Sequence, residues 1–193
     1  MREEDKRMKS KLMFNWGIWM GVVMGIYALL YTLTPLASHG VMWATFVAMP
    51  VFLAGGGKKE NILTNSVCGV LGVAWGVIFI KAGEMVQNAG VSAALSNFLV
   101  TLVVTIICVW VHGVILGKTP FNALPPVFGG MAATIASSIF TPDGSQLVSL
   151  AITLVLGVQA GYACMAGLLL MTEDGDWKFF LKEGKTHSSV RSE

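Results

Sequence analysis

Five residues recur at helical spacing within an otherwise apolar run: Asn97, Thr101, Thr105, Cys108 and His112. Steps of three and four residues bring them to one face of an α-helix. Their side chains are neutral donors and acceptors, arranged as a vertical row. Polar groups in hydrocarbon are costly and turn towards a bundle interior or a cavity. Such a row can replace a solute's water shell step by step, so it is read here as pore lining. The alternative is interhelical hydrogen-bond glue, worth about 0.6 kcal/mol per contact. Gln159, in a later apolar run, is a second polar candidate.

Charge is missing from these runs. No Asp, Glu, Lys or Arg lies deep within them, and His112 is the one titratable nitrogen at depth, a turn before Gly117-Lys118. A proton-coupled pump generally needs a buried carboxylate or an equivalent relay. Catalytic constellations are absent too: there is no Ser/His/Asp set, no paired carboxylates and no metal-ligand cluster. The stretch GGGKKEN (55–61) lacks the spacing of a phosphate-binding loop and reads as a turn. Cys68, Cys108 and Cys164 fall inside apolar runs, where small buried hydrophobes are expected. The chain is therefore expected not to be an enzyme, and no cofactor, metal or nucleic acid is expected.

The elements that must carry this row are apolar helices. Of 193 residues, 54% are hydrophobic and 12% charged, against about 25% charged in a soluble domain. Runs of about 20 apolar residues are long enough to cross a bilayer. Six helices are expected at 14–34, 40–56, 62–81, 91–116, 121–140 and 147–171, giving an all-α integral membrane protein. A charged tail, 1–13, precedes this domain and a second tail, 172–193, follows it. With the N-terminus in the cytoplasm, twelve of the 13 Lys and Arg fall on the inner side and only Lys81 on the outer. Both termini are then cytoplasmic by the positive-inside rule. Trp177, in DGDWKFFLK, is expected at the inner surface in a short segment along the membrane.

The chain also repeats itself. Phe46-x-x-x-Pro50-Val51-Phe52 matches Phe121-x-x-x-Pro125-Pro126-Val127-Phe128, and VLGVAWG (70–76) matches VLGVQAG (155–161) at five of seven positions. Repeat A (14–81) and repeat B (91–171) each have three helices. An odd number turns the second copy over, which makes an inverted repeat of the kind found in channels and transporters. Pro50, and Pro125 with Pro126, are expected to break helices 2 and 5. Broken backbone in a membrane faces protein or a water-filled cavity, so these prolines and Asn122 join the candidate solute path. Gly17, Gly21 and Gly25 on helix 1, Gly69, Gly72 and Gly76 with Asn65 on helix 3, and Gly157 on helix 6 mark faces for close packing.

WATFVAMPVFLAGGGKKENILTNSVCGVLGVAWGVIFI, LPPVFGGMAATIAS and SLAITLVLGVQAGYACMAG together resemble the YcdZ-like family of small bacterial inner-membrane proteins, a domain of unknown function. The resemblance covers residues 14–171 and implies a bacterial inner (cytoplasmic) membrane location without a substrate. The expected function is a channel or facilitator for a small, largely uncharged polar solute of the urea, amide, ammonia or polyol class. The competing expectations are an ion-coupled secondary transporter and a non-transporting scaffold. Expected partners are the lipid bilayer and the solute, with homo-oligomerisation left open.

Overall fold

The computed structural model describes residues 3–140 and 145–179. Among the Lys and Arg counted on the inner side, Arg2, Lys182, Lys185 and Arg191 lie outside these residues. The described chain is helical: α1 (Glu3–Thr32), α2 (Thr45–Ala54), α3 (Ile62–Asn88), α4 (Ala93–Trp110), α5 (Leu124–Phe140) and α6 (Leu147–Leu169). Short 3-10 turns at Pro35–His39 and Met42–Ala44 lead into α2, and a π-turn at Val111–Ile115 closes α4. Four helices are long and apolar enough to cross a membrane: α1, α3, α4 with its π-turn, and α6. This is the build of a membrane protein.

The other two helices are short. At 10 residues α2 is about 15 Å long, half of a hydrocarbon core of about 30 Å. With 17 residues α5 reaches about 25 Å. Summed hydropathy overstates them because the apolar residues Leu36, Val41 and Met42 before α2 lie in coil and 3-10 turns. The prolines act differently in the two. Pro50 lies inside α2, which continues past it to Ala54. Pro125 and Pro126 occupy the second and third positions of α5, where a backbone N–H has no intrahelical partner anyway. They start that helix rather than interrupt it. The irregular backbone lies just before it, at 116–123.

At the chain's start the charged segment expected as a tail is helical from Glu3, because Lys and Arg are good helix formers and continue α1 outward. Contacts divide the chain into two units, one holding α1 up to Leu29 with the chain from Ala163 on, the other Leu30–Tyr162.

In the first unit, the Trp16 and Trp19 indoles donate to the carbonyls of Cys164 (2.9 Å) and Ala163 (2.8 Å). Gly167 makes room for Trp19, whose Cδ1 would lie 2.1 Å from a Cβ there. The segment after α6 packs against α1. It turns back at Gly175 (φ 83°), whose carbonyl accepts from Asn15 at 2.8 Å. Lys11 pairs with Asp176 at 2.7 Å, and Trp177 stacks tilted on Trp19 with ring centres 6.4 Å apart. Gly17, Gly21 and Gly25 are exposed, and a Cβ on any of them meets nothing within 4 Å. That expected packing face has no neighbour among the described residues.

The second unit is built on glycine contacts in matched pairs. A Cβ at Gly72 would lie 2.2 Å from the Val127 carbonyl oxygen, and one at Gly76 2.4 Å from Thr134 Cβ, so α3 and α5 run parallel with their backbones touching. A Cβ at Gly157 would lie 3.0 Å from Thr45 Cα, and one at Gly161 3.0 Å from Phe52 Cδ1, so α6 and α2 run parallel in the same way. Small residues permit this approach, and dispersion at close range replaces the hydrophobic drive that lipid does not supply.

Candidate functional site

Only part of the expected polar row faces inward. The buried face of α4 carries Ser96, Val100, Val104 and Cys108, with His112 in the π-turn continuing it. Asn97 and Thr101 stand one position further round and are exposed, beside Phe98 and Leu102 on a shallow surface depression of α4. Thr105 is half-buried. The two rows merge only at Cys108 and His112. Ser96 fixes this rotation by donating to the Gly83 carbonyl at 3.2 Å. Pro50, Asn122, Pro125 and Gln159 are exposed as well.

His112 is 1% exposed and ties three elements together. Its Nε2 accepts the Trp75 indole N–H from α3 at 3.0 Å, and its Nδ1–H donates to the Phe121 carbonyl ahead of α5. Both ring nitrogens are used, which selects the neutral tautomer with its proton on Nδ1. Cys68 of α3 donates its thiol to the neighbouring Pro120 carbonyl at 3.6 Å. Asn122 donates to the Gly117 carbonyl at 2.9 Å. Freed carbonyls before α5 thus meet side-chain donors, as irregular backbone among apolar helices requires.

The connection from α1 to α2 is held by the same plan. Thr153 of α6 meets the Tyr31 hydroxyl at 2.8 Å, and Ser149 of α6 meets His39 Nδ1 at 2.9 Å. Cys68 and Thr153 are separated by the same 85 residues as Gly72 and Gly157, or Gly76 and Gly161. Equivalent positions of α3 and α6 therefore pin equivalent connections, each reaching across to the other half of the sequence.

Where α2, α3, α5 and α6 meet, a void of about 10 Å³ remains. Its wall includes Val47, Asn65, Gly69, Pro126, Gly129 and Leu154. This is the lower limit of space for one water molecule. Asn65 is 8% exposed and is the polar side chain of that wall. Its Nδ2–H donates to the Asn61 carbonyl at 2.9 Å, one turn back in the chain. Of the residues singled out as solute-binding from sequence, Pro126 alone lines the void. Asn65 entered the sequence reading only as a member of a small-residue face. Its polarity among three glycines was the available signal.

Residues 14–167 match the family described as "Protein of unknown function (DUF1097)". The chain belongs to this family. The DUF1097 match spans nearly the whole stretch on which the sequence resemblance rested, and the family's description assigns no activity. No curated protein and no solved structure matches the chain.

Proposed function

We propose that this DUF1097 protein is a membrane facilitator for a small, largely uncharged polar solute, and not an enzyme. Its six helical segments are read as two inverted three-helix repeats, with the irregular stretches that lead into α2 (33–44) and α5 (116–123) as the interruptions of helices 2 and 5. The quoted motifs favour its YcdZ-like members and a bacterial inner membrane, with both termini cytoplasmic. The observation that carries this reading is the crosswise packing of short helices. Helix α5 lies along α3 and α2 along α6, and all four border one void. Paired discontinuous segments meeting between two sequence halves are where transport proteins of this kind keep their solute sites. The path runs through that centre, rather than along the outward half of the α4 row.

A second reading is a coupled carrier, favoured by the narrowness of the void, which at about 10 Å³ has room for no more than a water-sized molecule. Proteoliposomes separate the two. Ammonia, formamide, urea and glycerol are followed by stopped-flow during an inward gradient. Faster entry of at least one than in empty vesicles, and no accumulation beyond equilibrium, is the expected result. Accumulation driven by an ion gradient turns the assignment to a carrier. Empty-vesicle rates for every solute, with or without ion gradients, leave a scaffold.

A further inference from the structure

The outward half of the α4 row has no part in a central path, and its chemistry calls for a partner. Asn97 and Thr101 are exposed, and neither side chain makes a hydrogen bond among the described residues. Their neighbour Ser96 faces inward and donates to the Gly83 carbonyl, which fixes the outward rotation of the row. Asn97 and Thr101 lie within the apolar span Ala93–Ile115, about 10 and 5 Å from its midpoint. A hydrocarbon core reaches about 15 Å to either side of its middle, so both are inside it. Lipid tails neither donate nor accept, and a carboxamide left against them is unsatisfied.

We infer that the first half of α4 is the contact between two copies of this chain, with Asn97 hydrogen-bonded to its counterpart in the second copy. Depth and chemistry commit the face to that occupant. Copies inserted in one orientation hold equivalent residues at equal depth. A carboxamide is donor and acceptor at once, so two of them satisfy each other across a two-fold axis along the membrane normal. One asparagine in a helix pair also fixes the register of the pair. Thr101, one turn on, then comes opposite its own counterpart. Phe98 and Leu102 flank the row, are 62% and 46% exposed, and border a depression with Asn97 and Thr101. They give the contact apolar packing beside its polar line. No charged side chain on α4 repels a second α4. The row is half-buried at Thr105 and fully inside at Cys108, so the contact ends there.

The test uses the full chain, labelled at its N-terminus in separate donor and acceptor pools and reconstituted together in vesicles. Energy transfer is read as lipid is added. Wild type is expected to associate, with transfer falling on dilution as a two-copy equilibrium requires. Asn97→Leu keeps the bulk, removes the hydrogen bonds and should weaken association about tenfold. Gly21→Leu, on the open face of α1, should leave association unchanged. Cross-linking gives a second readout that keeps Asn97 in place. Cys68, Cys108 and Cys164 are fully buried, so wild type serves as the blank. Under a mild oxidant Thr101→Cys should form a disulfide-linked pair, and Val103→Cys, exposed on another side of α4, should not. A wild-type chain that is monomeric at every dilution overturns the contact. Association that Asn97→Leu leaves intact, or that Gly21→Leu abolishes, overturns it as well. So does equal cross-linking of Thr101→Cys and Val103→Cys.

Discussion

At the residue scale, the glycines of α3 separate into those that are replaceable and those that are not. A Cβ at Gly69 meets only Leu154 Cβ at 3.9 Å, an ordinary contact. At Gly72 or Gly130 it meets backbone at 2.2 or 2.1 Å, which side-chain movement cannot relieve. Gly69→Ala is expected to be neutral, or stabilising by up to about 1 kcal/mol through helix propensity. Gly72→Ala and Gly130→Ala should each cost about 1–3 kcal/mol. Thermal unfolding in mild detergent checks this, and equal melting temperatures for Gly69→Ala and Gly72→Ala would refute the α3–α5 contact. His112 belongs to the same scale. His112→Ala leaves the Trp75 indole N–H without its acceptor and should cost about 1–3 kcal/mol. A cycle with Trp75→Phe should give a coupling of at least about 0.5 kcal/mol; additive losses would mean that the hydrogen bond contributes nothing.

At the element scale, the position of a proline decides its effect. Pro125 sits in the first turn of α5, so Pro125→Ala should shift stability by less than about 0.5 kcal/mol. Pro50 lies inside α2, and Pro50→Ala restores a backbone N–H able to reach Phe46. That variant is expected to be at least as stable as wild type in the same unfolding assay, and a loss above about 1 kcal/mol would mean that the proline ring itself is needed for packing. In the unit built on α1, Gly167→Ala should expel Trp19 from its seat. A red-shifted tryptophan emission is the expected reading, and an unshifted spectrum would contradict the close approach. The helical periods behind these elements were legible in the sequence, as were the glycine faces of α3 and α6. Helix rotation was not. Asn97 and Ser96 are adjacent and both polar, yet Ser96 found the Gly83 carbonyl and turned Asn97 outward. Periodicity tells which residues share a face and is silent on what that face will meet.

For the whole molecule, the proposed six-segment layout puts Lys58 and Asn88 on opposite sides of the membrane. Single cysteines introduced at these positions in a background lacking Cys68, Cys108 and Cys164 should label from opposite sides with an impermeant maleimide. Labelling from one side only would mean that α3 does not cross, and the inverted repeat would fall with it. The sequence by itself determined that this is a helical membrane chain, because too few charges are present to cover a soluble surface and apolar runs reach spanning length. It also determined the duplicated Gly and Pro patterns and the DUF1097 membership. Tertiary structure alone decided that α2 and α5 are short, that each lies along the third helix of the other half, and that Asn65 borders their meeting point. The physical reason is that hydropathy and periodicity are sums over neighbours in the chain. The void and the paired pins of Cys68 and Thr153 arise between residues tens of positions apart, where only packing brings them together.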